Sequence, residues 1–266
     1  MYHFFINSNQ INADKAFVTG EDYNHIKNVL RLKPGEKAVL SDADGGTYAC
    51  RLDGFEEDER AIFTIEGPSA DTELPLRITI YQGLPKVDKL ETIIQKCVEL
   101  GAYRIVPVEM KRCVVKLDAK KKESKQKRWQ AISQAAAKQS GRCIIPEVAM
   151  PMPYAMAVQE AVDSLKIVPY EEAKDMRSYA EILPHISKAV KVIEAAKAAG
   201  YNKAPLDIAV FIGPEGGFDY EEIEKAKQSG AHIVSLGKRI LRTETAGPAI
   251  LSALMLHIEM AREEKY

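Results

Sequence analysis

Hydrophobic and polar positions alternate along the first 70 residues in short runs. Tyr2 to Ile6, Lys37 to Ser41, Thr47 to Gly54 and Arg60 to Ile65 have the period of half-buried strands. Lys33-Pro34-Gly35 and Asp42-Ala43-Asp44-Gly45-Gly46 supply turn chemistry between them. One helix interrupts the set: Thr19-Gly20-Glu21-Asp22 resembles a capping box, and Ile26, Val29 and Leu30 follow at helical spacing. This pattern predicts a small β-rich domain over residues 1–70, of barrel type. The stretch Gly67 to Pro75 has no periodicity and reads as a linker.

Beyond it, strand and helix periods alternate. Leu76, Ile78 and Ile80 suit a strand, and Leu90, Ile93, Ile94 and Cys97 a helix ending at Gly101. Apolar runs follow at Arg104 to Val108, Leu165 to Val168, Ile208 to Ile212 and Ile233 to Leu236. A long helix is expected over Lys122 to Ser140 and another over Ala246 to Ala261. Such alternation predicts an α/β domain over residues 71–266 with a mainly parallel sheet. There is no internal repeat of solenoid period.

Composition changes this picture little. The 266 residues are 46% hydrophobic and 28% charged, which excludes a collagen-like or wholly disordered chain. The formal net charge is −1, so only the distribution of charge could indicate a polyanionic partner. Cys50, Cys97, Cys113 and Cys143 form no C-x-x-C pair, which argues against a zinc ribbon, a redox motif or a disulfide framework. No secretory signal and no membrane-length apolar run is visible, so a soluble cytoplasmic protein is expected.

Three segments carry candidate chemistry. Ile212-Gly213-Pro214-Glu215-Gly216-Gly217-Phe218 follows an apolar strand and precedes a helix, so its backbone N–H groups could approach a ligand. It matches neither G-x-G-x-x-G nor the P-loop pattern, and Glu215 disfavours a pyrophosphate. A hydroxylated sugar with a positive centre would suit it better, and a plain tight turn remains the alternative. Leu236-Gly237-Lys238-Arg239-Ile240-Leu241-Arg242-Thr243-Glu244-Thr245-Ala246 also joins a strand to a helix. Thr243 or Thr245 as cap and Glu244 against the dipole are ordinary helix-start chemistry. Two arginines at the positive end of a helix are not, unless they serve a ligand. Finally, Lys111 to Arg128 holds nine Lys or Arg against Asp118 and Glu123, with Lys138 and Arg142 beyond. This is a phosphate-binding face or a solvated helix flank. The five histidines show no metal spacing, although His25 lies in a polar patch with Lys27 and Arg31.

Taken in order, these motifs resemble one family. GPEGGF and LGKRILRTETA, with HIKNVLRL (His25 to Leu32), KVDKLETIIQKCVELG (Lys86 to Gly101), Lys127-Arg128-Trp129 and Gln139-Ser140-Gly141-Arg142, are similar to the RsmE family. Its members are 16S ribosomal RNA (uracil-N3)-methyltransferases of the SPOUT superfamily. His3 stands where the family often has Arg.

The resemblance implies a PUA-like RNA-binding β-barrel over 1–70 and, over 71–266, a SPOUT α/β domain with a mainly parallel sheet tied in a trefoil knot. It also implies a homodimer without metal or membrane, acting on a uridine in the decoding region of 16S rRNA. S-adenosyl-L-methionine would be held by Pro169, Tyr170 and Glu171, by Ile212, Gly213, Pro214, Glu215, Gly216 and Gly217, and by Leu236, Gly237, Ile240, Leu241, Arg242, Thr243, Thr245 and Ala246. Arg242 would stabilise a developing uridine anion; Glu244 would accept a proton or, as a helix cap, orient Arg242. RNA would be held by His25, Arg31, Arg112, Lys116, Lys120, Lys121, Lys122, Arg128 and Arg142. A non-catalytic ribosome-assembly protein of the same fold is the alternative. A nicotinamide oxidoreductase lacks its glycine fingerprint.

Overall fold

In the computed structural model, residues 2–42, 45–86, 89–173, 177–201 and 205–263 are described. Ala43 and Asp44 of one expected turn, and Val87 and Asp88 of one family segment, lie outside them. The chain forms two compact units, Met1–Glu73 with Ala137–Ile145, and Leu74–Ala136 with Pro146–Tyr266.

The first unit contains β1 (Tyr2–Ile6), β2 (Ile11–Asn12), β3 (Lys15–Val18), α1 (Gly20–Asn24), β4 (Lys37–Asp42), β5 (Thr47–Phe55) and β6 (Ala61–Pro68). The strands pair in the order β1-β4-β5-β6-β3-β2, with β1 parallel to β4 and the others antiparallel. The expected barrel is a curled half-barrel with β1 and β2 at its edges. Its core follows the period of two: Phe4 and Ile6, Ala16 and Val18, Ala38 and Leu40, Cys50 and Leu52, Ala61 and Phe63 all point inward.

Two expectations for the helix after β3 fail. Thr19 makes no side-chain cap. The helix also widens after Asn24 into a π turn over His25–Val29, closed by the Leu30 N–H on the His25 carbonyl at 2.8 Å. The extra residue in that turn keeps Ile26 buried but rotates Val29 out to solvent. The expected linker is not free either. Thr72 Oγ1 donates to the Gly141 carbonyl at 2.9 Å, and Glu73 Oε1 accepts from the Cys143 N–H at 2.8 Å.

The second unit contains β7 (Arg77–Gly83), α2 (Lys89–Glu99), β8 (Arg104–Glu109), α3 (Ala119–Ser140, whose last turn belongs to the first unit), β9 (Glu147–Val148), β10 (Met152–Pro153), α4 (Tyr154–Glu160), β11 (Leu165–Pro169), α5 (Arg177–Ala198), β12 (Asp207–Ile212), α6 (Tyr220–Gln228), β13 (His232–Val234) and α7 (Thr243–Glu263). The sheet order is β10-β8-β7-β12-β11-β13, with β9 beside β8 and every pairing parallel.

Strands buried on both faces read as continuous apolar runs, which is why 208–212 and 105–108 were visible in the sequence. Successive residues of β12 serve opposite layers. Phe211 meets Tyr154 of α4 edge-on, while a Cβ on Gly247 of α7 would sit 3.8 Å from the side chain of Ile212. α7 packs on α2 and α5 as well as on β12 and β7. Among the described residues no helix is long and apolar enough to cross a membrane.

Candidate functional site

The loops leaving the carboxyl ends of β11, β12 and β13 converge on a cavity of about 380 Å³, within the usual range of small-molecule sites. Its wall includes Pro169, Tyr170 and Glu171; Ile212, Gly213, Pro214, Glu215 and Gly217; and Leu236, Gly237, Ile240, Leu241, Arg242, Thr243 and Ala246. Of the residues expected around a cofactor, only Gly216 and Thr245 are not on this wall. Lys89, Phe218, Ser235, Lys238 and Arg239 are additional members.

Local chemistry shapes each loop. The Gly-rich loop closes on itself through the Gly217 N–H on the Pro214 carbonyl at 2.9 Å. Gly217 has φ +68°, and a Cβ there would lie 3.0 Å from Glu171 Oε1. A Cβ on Gly213 would come within 3.2 Å of the Gly217 backbone. Side chains at these two positions would therefore close the bend. The loop ends at a true capping box: Asp219 Oδ1 accepts from the Glu221 N–H at 3.2 Å, and Glu222 Oε2 from the Asp219 N–H at 2.9 Å. The bend after β11 is tied to β13 by the Tyr170 N–H on the Val234 carbonyl at 3.0 Å.

The third loop is longer than expected at its start and shorter at its end. β13 stops at Val234, and α7 begins at Thr243 rather than Ala246. Neither threonine caps that helix as the bland reading supposed. Thr243 is buried, and its hydroxyl donates to the Gly213 carbonyl at 2.6 Å while accepting from Gln82 Nε2 at 2.9 Å. Arg242 is exposed at the cavity edge, and its carbonyl receives the Thr245 N–H at 2.8 Å and the Ala246 N–H at 2.9 Å.

The electrostatics of the rim centre on Lys89, which lies 3.2 Å from Glu215 and 3.1 Å from Glu244. Glu244 is held below the usual carboxylate range by its own backbone amide and by Lys89, with Arg242 adding to the effect. Burial pushes Glu215 up, but the amides of Glu215 and Lys86, together with Lys89, bring it below the usual value. Sequence reasoning missed Lys89. The available signal was a lysine opening a helix, at the end where a cation is disfavoured.

The basic residues are distributed unevenly. Lys116 and Lys120 are exposed. Lys121 lies 3.3 Å from Asp118, Lys122 2.8 Å from Glu109 and Arg128 2.8 Å from Glu91. Arg112 Nη1 donates to the Gly216 carbonyl at 3.0 Å, so it braces the Gly-rich loop from outside the cavity. In the first unit, His25 and Arg31 are exposed, and Arg31 has φ +55°. Arg142 does not reach the surface expected of an RNA contact. Only 5% of its side chain is exposed, and its guanidinium is paired with Glu73.

Residues 72–255 match the family model of an RNA methyltransferase domain, and residues 18–65 that of an RNA methyltransferase PUA domain, which makes the chain an RNA-modifying enzyme of two parts. The chain is 34% identical over 269 residues to the ribosomal RNA small subunit methyltransferase E of Bacillus subtilis (strain 168), covering 99% of both. It is 30% identical to the protein of that name from Synechocystis sp., over 97% of this chain and 78% of the relative. The crystal structure of a ribosomal RNA small subunit methyltransferase E from Neisseria gonorrhoeae bound to S-adenosyl methionine superposes with a TM-score of 0.73 at 30% identity, covering 96% of this chain and 97% of that one. The chain belongs to the ribosomal RNA small subunit methyltransferase E family.

Proposed function

We propose that this protein transfers the methyl group of S-adenosylmethionine to N3 of a uridine in 16S rRNA of the small ribosomal subunit. The observation that carries the reading is the cavity at the carboxyl ends of β11, β12 and β13, walled by backbone bends and bordered by carboxylates. Backbone N–H and carbonyl groups of three loops suit an adenine and a ribose. Glu171 and Glu215 suit a ligand with a positive centre, and glycines at 213 and 217 let the bend fold tightly on itself and against Glu171.

When bound, the donor supplies an electrophilic methyl group on a sulfonium, so the protein's task is orientation and charge stabilisation. Uridine N3 carries a proton at neutral pH and becomes nucleophilic as that proton passes to water; methyl transfer would then leave the donor as its neutral thioether. Arg242, exposed at the cavity edge, is the group for the negative charge that develops on the uracil. The target base must be unpaired or flipped to reach it. Lys116, Lys120, Lys121, Lys122 and Arg128 in the second unit, and His25 and Arg31 in the first, are the proposed contacts to the surrounding RNA.

We further assign a trefoil knot to the second unit and a homodimer to the working enzyme, acting in the cytoplasm on a decoding-region uridine. The knot is supported by β11 lying between β12 and β13 while the chain after residue 234 passes the other two bends before α7 packs on β7 and β12. The test is calorimetric titration with S-adenosylmethionine, then transfer of labelled methyl to small subunits and to naked 16S rRNA from cells lacking the protein, with the modified base mapped. Cofactor binding with one methylated uridine is expected. RNA binding without methyl incorporation would leave a ribosome-assembly role instead.

A further inference from the structure

Lys89 opens α2, at the positive end of the helix dipole, where a cation gains nothing locally. Its ammonium instead lies 3.2 Å from Glu215 Oε1 on the Gly-rich loop and 3.1 Å from Glu244 Oε2 in the first turn of α7. Glu215 also accepts from the Lys86 N–H, at 3.0 and 3.3 Å. One ammonium thus ties its own helix to two segments, 126 and 155 residues away in sequence and 29 residues from each other. The side chains of Glu215 and Glu244 are only 26% and 29% exposed. Without the cation, two like charges would be left close together, Glu215 on the cavity wall and Glu244 beside it, both only partly exposed to water.

We infer that Lys89 is a positioning residue of the methyl-transfer site: it clasps Glu215 to Glu244, sets the width of the mouth between the Gly-rich loop and the turn carrying Arg242, and keeps Glu244 an ionised anchor rather than a base. The inference rests on the function proposed above. The lowered carboxyl values of Glu215 and Glu244, and the raised ammonium value of Lys89 caused first by its bond to Glu244, agree with the geometry. A carboxylate stabilised in this way is a weak acceptor for a proton. Arg242 is the other charged side chain acting on Glu244.

The test compares wild type with Lys89→Met and Lys89→Arg. Lys89→Met is expected to raise the dissociation constant for S-adenosylmethionine and to slow single-turnover methyl transfer at saturating donor, each by about tenfold or more, the scale of a small misplacement at a reacting centre. Lys89→Arg should keep both within about threefold, because it restores the cation.

A purely structural role would not change the pH response. Side-chain carboxyl titrations by ¹³C NMR should show Glu215 and Glu244 protonating at higher pH in Lys89→Met than in wild type. Wild-type affinity and rate in Lys89→Met, or unchanged carboxyl titrations, would overturn the clasp. If wild type neither binds the donor nor transfers methyl, the proposed function fails, and the NMR titration still decides the clasp.

Discussion

The hydroxyl of Thr243 donates to the carbonyl of Gly213, 2.6 Å away and 30 positions earlier in the chain. The same oxygen accepts from Gln82, so a strand end, the Gly-rich bend and the start of α7 share one buried polar junction. Thr243→Val keeps the shape but leaves the Gly213 carbonyl and the Gln82 amide without this partner. It should cost about 1–3 kcal/mol of stability, read by chemical denaturation, and weaken donor binding measured by calorimetry.

Arg242→Ala should lower single-turnover methyl transfer by about 10²–10³-fold, the usual scale for removing one stabilising group from a developing anion. Donor affinity should change by only a few fold. Turnover within a few fold of wild type would assign the anion to another residue.

Replacing Lys120, Lys121 and Lys122 together by Ala should weaken RNA binding and flatten its dependence on salt. Each lost phosphate contact removes about 0.7 from the slope of log K against log salt for single-stranded RNA. Because Lys121 is engaged with Asp118 and Lys122 with Glu109, Lys120 should dominate the change. Filter binding across a salt series reads it, and an unchanged slope would move the RNA face elsewhere.

Arg142 and Glu73 form a nearly buried ion pair that ties the segment after β6 to residues 141–143. Removing Arg142 withdraws the guanidinium from a largely buried carboxylate, so Arg142→Met should destabilise the protein by about 3–5 kcal/mol. Calorimetric melting reads this. A loss of RNA affinity with no change in melting would return Arg142 to the RNA contacts.

Burial pushes the Cys50 and Cys97 thiols up to about 12, and all four cysteines are buried. Native protein at pH 8 should therefore react slowly with a thiol reagent, and denatured protein rapidly at all four. These folded-state values lie above the ordinary thiol value near 8.5, so the neutral thiols' contribution to stability is full at lower pH and is lost as pH climbs from about 8.5 toward 12. Denaturation midpoints from pH 7 to 10 check the sign.

Much of this molecule could be read from local order in the chain. Burial repeats every two residues in β4 to β6, and runs on both faces in β8 and β12, because each strand meets its own layer directly. The bends at Gly213 and Gly237 were visible because strand, turn and helix signals follow one another within a few residues. What local order could not contain was the third dimension of each contact. Val29 carries the right spacing for a helix, but a π turn moves it outward. Arg142 reads as a surface cation, but Glu73, 69 positions earlier, holds it inside. Lys89 meets Glu244 across 155 positions, and Gln82 meets Thr243 across 161. Such pairs exist only after the sheet has assembled, since a hydrogen bond or ion pair depends on distances of a few ångströms that chain spacing does not encode. The three loops and their residue types therefore belong to the sequence; the cavity they enclose, and the charges that hold its mouth, belong to the tertiary structure.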